Sequence, residues 1–302
     1  LPEPITSENN LIAGSNSWII HGNHTTTGKP ILANDPHLTN GIPSYWYNAV
    51  LRYGDNFISG MSMPGLPAVV IGKTKHVAWG FTAHTVDIGD LYVITKKDNM
   101  YKYDGNWYPL KEFVEDIKVK SKNVLDTFKV YETHHGVIID PYFLEFFGKK
   151  HYKIPPGVTY ALAWTGYAKN DTTLACFFNF FNTTTAQEVI NSWEGASMFA
   201  MNLHFATVQG DIGFMTLGRI PIRKSSKHGG KPLDGSKSEN DWAGYMPYED
   251  QPRVINPKKG FIVSANNKIA TNNLRWHASA SMVVTPRAAR IHEMIADIIE
   301  SG

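Results

Sequence analysis

Two stretches decide how this chain is read: Ala13-Gly14-Ser15-Asn16-Ser17-Trp18-Ile19-Ile20, and the Leu32-Ala33-Asn34-Asp35-Pro36-His37-Leu38 run that follows it. Taken alone, Gly14-Ser15-Asn16-Ser17 is a polar turn ahead of a short strand, because clusters of Gly, Ser and Asn mark loops. The chemical alternative needs a base, since a serine hydroxyl is a weak nucleophile at neutral pH. Cutting the Gly14-Ser15 peptide bond would supply one. The new α-amine of Ser15, with an ordinary pKa of about 8, suits proton transfer near neutrality.

Outward from this stretch the chain reads as an ordinary globular protein. It has 302 residues, 42% of them hydrophobic, and a net charge of +2, which gives no footprint for nucleic acid. No apolar run reaches the length of a membrane span. The single Cys176, in Ala175-Cys176-Phe177-Phe178, has no disulfide partner and reads as a buried, inert thiol. Leu1-Pro2-Glu3-Pro4 is no signal peptide, the chain reads as an internal fragment, and residues 1 to 14 read as a linker. Sequons at Asn23, Asn170 and Asn182 permit glycosylation in a secreted eukaryotic protein.

Short β-runs dominate the first half: Trp18 to Ile20, Ile31 to Ala33, Trp46 to Tyr53, Phe57 to Met61, Ala68 to Ile71 and Val77 to Phe81. Turn residues separate them, as in an antiparallel sheet. Val208 to Phe214 reads as a hairpin around a polar turn. Helical periodicity appears late, over Thr185 to Trp193 and Arg287 to Glu300, and Lys224 to Asn240 is a solvated basic loop. Strands flanked by helices predict an α+β layered domain.

Several apparent motifs dissolve on inspection. Gly60-Met61-Ser62-Met63-Pro64 lacks the second glycine of a nucleophile elbow, so Ser62 reads as structural. Gly72-Lys73-Thr74 has Pro67 where a phosphate loop needs glycine. The adjacent pair His134-His135, placed on a strand, would point to opposite faces and could not chelate one ion.

The GSNSW start at Gly14, the Thr27-Gly28-Lys29-Pro30-Ile31-Leu32 segment and Asn34-Asp35-Pro36-His37-Leu38 together resemble the penicillin acylase family of N-terminal-nucleophile hydrolases. The resemblance covers Ala13 to Ser301 and implies a four-layer αββα sandwich, read here as the N-terminal part of a large chain. It implies self-cleavage before Ser15, a small-chain partner from the same precursor, an N-acylated small molecule as substrate, and a secreted or periplasmic setting. Ala78-Trp79-Gly80-Phe81-Thr82-Ala83 then supplies one oxyanion donor at Ala83. Asn256 to Asn267 supplies another at Asn266, with Asn267 as the alternative. His37 gains a main-chain role beside the serine amine, and Arg290, from Arg287-Ala288-Ala289-Arg290-Ile291, braces the asparagine and the amine. Many members bind calcium, here at Asp87, Gly89, Asp90 and the Pro221 carbonyl, a set short of the six to eight oxygens that calcium takes. Thr74, Thr207 and Val137 depart from the family's usual residues. An inactive family fold serving as a binding or structural subunit is the other functional class to weigh, and a mature N-terminus at Ser15 separates the two.

Overall fold

The computed structural model describes residues 14–38, 41–84, 86–120, 124–139, 154–224, 231–268 and 286–301. The polar linker thus falls outside the described residues except for Gly14, which already belongs to the first strand. Seven antiparallel strands form the main sheet: β3 (Tyr47–Tyr53), β4 (Asn56–Ser62), β5 (Val69–Lys73), β6 (Val77–Ala83), β15 (Met201–Thr207), β16 (Ile212–Leu217) and β20 (Arg253–Ile255). β3 is one edge of that sheet. It exposes Tyr47, Val50, Leu51 and Tyr53.

A three-stranded antiparallel sheet lies against the main one, in the order β2 (Ile31–His37), β1 (Gly14–Ile20), β21 (Phe261–Ser264). The interface is apolar: Ile19 and Ile262 of one sheet meet Ala206, Ile212 and Phe214 of the other. Alternation on β1 explains this, because Ser15, Ser17 and Ile19 are buried while the residues between them are half-exposed.

Helices close both outer faces. α1 (Thr173–Phe180) and α2 (Ala186–Asn191) pack on the main sheet, where Cys176, Phe177, Phe180, Val189 and Ile190 meet Trp79, Phe81, Leu203 and Phe205. Thr185 starts α2 through a capping box with Glu188. On the far side α3 (Pro286–Ser301) lies against β21 and β1, with His292 edge-on to Phe261. The order helix, sheet, sheet, helix is the predicted αββα arrangement. α1 is absent from the periodicity reading because its run, Thr173 to Phe180, is apolar around much of its circumference.

A second lobe holds a six-stranded sheet in the order β11 (Lys111–Val119), β12 (Val124–Glu132), β13 (Val137–Ile139), β14 (Tyr160–Trp164), β7 (Gly89–Val93), β18 (Leu233–Asp234). The small sheet of β8 (Lys96–Lys97), β9 (Met100–Tyr103) and β10 (Asn106–Pro109) and the β17 (Pro221–Arg223) and β19 (Trp242–Tyr245) pair complete it. Asp104 and Gly105, both at positive φ, form the β9–β10 turn. His134 and His135 do not lie on a strand. They occupy the Thr133–Gly136 turn between β12 and β13, so the period-two rule does not separate them, and their ring centroids are 3.8 Å apart.

Ser62 is structural as expected, its Oγ donating to Ala68 O at 2.6 Å, and Cys176 is a buried free thiol. Two histidines, the buried His204 and the half-buried His84, contribute to the acid sensitivity of the fold. Burial pushes His204 down to about 3 and His84 to about 4, against roughly 6.5 in an unfolded chain. Unfolding therefore takes up protons below about pH 6.5, so their contribution is complete above that pH and is lost as pH falls toward 4 and then 3. The urea midpoint should drop between pH 7 and pH 5, roughly the window below the free-histidine pKa. His204→Leu should flatten the drop; an unchanged slope would refute the assignment.

Candidate active site

Ser15 sits on the central strand of the small sheet, 7% exposed. Its backbone N–H donates to Asn266 Oδ1 at 2.6 Å, and the other end of the same amide, Asn266 Nδ2, donates to Ala83 O at 3.1 Å. One asparagine therefore joins the serine to the end of β6. Asn266 follows β21 and holds φ at 64°, a left-handed conformation that asparagine tolerates better than most residues and that turns its side chain back across the strand ends. Asn267 is occupied locally, with Oδ1 accepting from Ala265 N and Nδ2 donating to Lys268 O.

Ala83 presents its main chain to this amide by strand alternation. β5 pairs with β6 only as far as Trp79, which leaves the rest of that edge open. There Asn34 Oδ1 accepts from Phe81 N at 3.0 Å, and Asn34 Nδ2 donates to Phe81 O at 2.9 Å. The N–H and C=O of a strand residue point to the same side, and the pattern repeats every two residues. The Ala83 N–H accordingly faces the Asn266 side, as its carbonyl does. Asn34 Nδ2 also donates to Asn16 O at 2.8 Å, tying β1 to β6. Gly80 makes room for it, since a Cβ there would come within 2.6 Å of Asn34 Cβ.

The bracing arginine is Arg287, not Arg290. Arg287 Nη1 donates to Ser15 O at 2.9 Å and to Asn16 Oδ1 at 2.6 Å, and its Nη2 donates to Asn266 Oδ1 at 3.1 Å. Both arginines lie near the start of α3, but only the first turn abuts β1; Arg290, one turn on, projects to solvent and pairs with Glu293 at 2.9 Å. A Cβ on Gly14 would lie 2.8 Å from Arg287 Nη2 and 3.1 Å from Asn266 Oδ1, so the residue before Ser15 is glycine for close approach.

His37 is paired across β2 with Gly14, which places its main chain at the serine's end of β1. Its imidazole Nε2 contacts Asp35 Oδ2 at 3.0 Å and Asn16 Nδ2 at 3.3 Å. Behind the serine a buried polar ladder runs Ser264 Oγ to Thr82 Oγ1 at 2.8 Å, and Asn202 Nδ2 to Thr82 Oγ1 at 3.0 Å. Asn34, Arg287 and this ladder were not singled out in the sequence. The usable signal was an asparagine inside a strand, a type depleted there unless its amide has partners. An apolar cavity of about 510 Å³, lined by Met63, Leu66, Val70, Phe81, Phe177 and Met201, reaches β6 beside Ala83, whose cross-strand partner is Met201.

The expected calcium positions do not fit the ion. Arg223, two residues after Pro221 on β17, sends Nε to Asp90 Oδ2 at 2.7 Å and Nη2 to Asp87 O at 3.1 Å. Trp242 Nε1 donates to the same Asp90 oxygen at 2.6 Å, and Gly89 N lies 3.5 Å from Asp87 Oδ1. A guanidinium thus supplies the positive charge between the two aspartates. Arg223 and Asp90 side chains are 4% and 1% exposed, and stripping one partner from such a pair costs roughly 3–5 kcal/mol. Chemical denaturation of Arg223→Ala should show that loss, whereas Arg290→Ala should cost less than about 1 kcal/mol as a solvent-exposed pair.

The penicillin amidase family model matches residues 2–301. An acyl-homoserine lactone acylase of Pseudomonas aeruginosa is 29% identical over 290 residues, 94% of this chain and 34% of that protein. The penicillin acylase 2 proenzyme of Pseudomonas sp. strain SE83 is 29% identical over 287 residues, 93% of this chain and 35% of the relative. The chain thus spans about a third of the length of these relatives. The structure of a thermostable penicillin G acylase from Alcaligenes faecalis superposes with a TM-score of 0.77 at 20% identity, covering 93% of this chain and 49% of that one. With the match running almost from end to end, the chain belongs to the penicillin amidase family.

Proposed function

We propose that this chain is part of an acylase that hydrolyses the amide bond of an N-acylated small molecule, with Ser15 as an N-terminal nucleophile released by cleavage at Gly14-Ser15. The observation that carries the reading is the Asn266 amide, which spans Ser15 N and the Ala83 main chain under the Arg287 guanidinium. In the uncut chain Ser15 Oγ attacks the Gly14 carbonyl, the acyl group shifts from N to O, and water hydrolyses the ester. The freed α-amine keeps its N–H on Asn266 Oδ1 and becomes the base.

In turnover, Ser15 Oγ attacks the substrate carbonyl as its proton passes to the amine. The oxyanion takes the Ala83 N–H and the second hydrogen of Asn266 Nδ2. The C–N bond then breaks, the leaving amine collects the proton, and water releases the acyl group. Arg287 beside the amine disfavours a second positive charge and keeps it neutral near pH 7. Burial pushes His84 down to about 4, which makes its imidazole a weak base beside the amine. The apolar cavity at Phe81 and Met201 favours an apolar acyl group. The proenzyme relative also supports a second chain cut from the same precursor as partner. We further propose that Arg223 stands where other members hold calcium.

Intact mass spectrometry of the precursor should show cleavage at Gly14-Ser15 in the wild type and none in Ser15→Ala. A variant that retains one uncleavable residue before Ser15 should lose amidase activity with its circular dichroism unchanged; comparable turnover would make a side chain the base. Asn266→Ala should lower kcat about a hundredfold or more with KM nearly constant. Arg287→Ala should also lower kcat, and Arg290→Ala should leave it alone. Equal effects of the two arginine variants would overturn the bracing role.

A further inference from the structure

In the second lobe, three potential ligand atoms converge: His134 Nε2, His135 Nδ1 and Asp241 Oδ1, all within 4.8 Å of one another. Asp241 Oδ1 lies 3.8 Å from the first nitrogen and 3.7 Å from the second, beyond hydrogen-bond reach of either. It is buried and has no hydrogen-bond partner. The other oxygen is satisfied, with Tyr103 OH donating to Oδ2 at 2.6 Å and Lys224 Nζ lying 3.6 Å from it. Only the oxygen that faces the histidines has no hydrogen bond, and a buried acceptor left so is costly.

The tautomers sharpen the problem. His135 Nε2 lies 3.0 Å from Gly235 O, and a carbonyl only accepts, so that nitrogen carries the proton. With the proton on Nε2 of the neutral ring, Nδ1 turns a lone pair toward the carboxylate. Two acceptors then face each other. His134 Nδ1 sits 3.1 Å from Tyr101 OH, which can accept its N–H and leave Nε2 free as well. Imidazoles held through the far nitrogen by a carbonyl or hydroxyl, with the near nitrogen free, are the outer-shell arrangement of metal-bound histidine. Ligands on a tetrahedral zinc, about 2.0–2.1 Å from the ion, sit roughly 3.3 Å from one another, and the carboxylate oxygen, at 3.8 and 3.7 Å from the two nitrogens, is already near that spacing. The rings are held for it: His135 stacks on Tyr92 at 3.8 Å, and His134 packs on Tyr103 at 4.1 Å.

We propose that His134, His135 and Asp241 form a zinc site with water in the fourth position, a clip that fastens the β12–β13 turn to the segment entering β19. Two imidazole nitrogens and one carboxylate oxygen suit zinc, whereas calcium takes oxygens alone. The site stands apart from the Ser15 chemistry and does not depend on it.

The test uses purified protein stripped of metal, titrated with zinc chloride by calorimetry and with cobalt chloride by visible absorption. One zinc per chain, cobalt bands of tetrahedral character and a raised Tm are the expected results. Asp241→Asn, which keeps the Tyr103 contact, and His134→Gln should each weaken zinc binding at least about tenfold, while His292→Gln should not. If either variant fails to fold, nitrogen-15 NMR of the wild type decides, because zinc should shift Nε2 of His134 and Nδ1 of His135. No saturable binding at micromolar zinc, wild-type affinity in both site variants, or equal competition by calcium would each overturn the proposal.

Discussion

The side-chain amide of Asn34 is the contact on which the arrangement around Ser15 depends. Apolar interdigitation between two sheets drives them together but is non-directional, so it leaves their relative sliding weakly determined. Asn34 supplies direction. Its Nδ2 is shared by Asn16 O and Phe81 O, and its Oδ1 takes Phe81 N, so a shift of the small sheet along β6 breaks the two bonds to Phe81. The Thr82–Ser264 hydroxyl pair, with Asn202 behind it, holds the same register from the other neighbour of β1. Small residues are required where these side chains cross, which is why Gly80 stands opposite Asn34.

Charge in the protein is handled by arginine at two unrelated places. Arg287 reaches from the start of α3 to oxygens of β1 and of the Asn266 turn, and Arg223 does the same between β17 and the Asp87–Asp90 segment. In each case a planar guanidinium bonds to oxygens on separate pieces of chain at once, which a lysine ammonium on a flexible stem does less well. Arg223 and Trp242 both donate to one oxygen of the Asp90 carboxylate, which is thereby committed to them.

Much of this was legible in the chain itself. Short β-runs between turn residues located the early strands to within a few residues, and α2 and α3 followed from helix-period apolar positions. Ser15, Ala83 and Asn266 meet because each lies at a strand end, and strand ends are what turn residues mark. The misreadings share a cause. Arg287 and Arg290 are one turn apart on the same helix, and spacing alone does not say which turn touches a sheet. His134-His135 was placed on a strand because β-runs surround it, whereas the chain reverses there through Gly136, at φ 148°. Asn34 went unassigned because its partners are main-chain atoms of residues 18 and 47 positions away, which leave no mark in local sequence.

The exposed edge at β3 bears on how the molecule behaves in company. Val50 and Leu51 are 59% and 54% exposed, on opposite faces of a strand whose outer ladder groups meet no other described strand. Such an edge is a template for another extended segment, and no lysine, proline or bulge within β3 blunts it. Packing strength inside the sandwich does nothing to cover it. Association between copies is thus a matter of open ladder groups at the rim, separate from the free energy of the core.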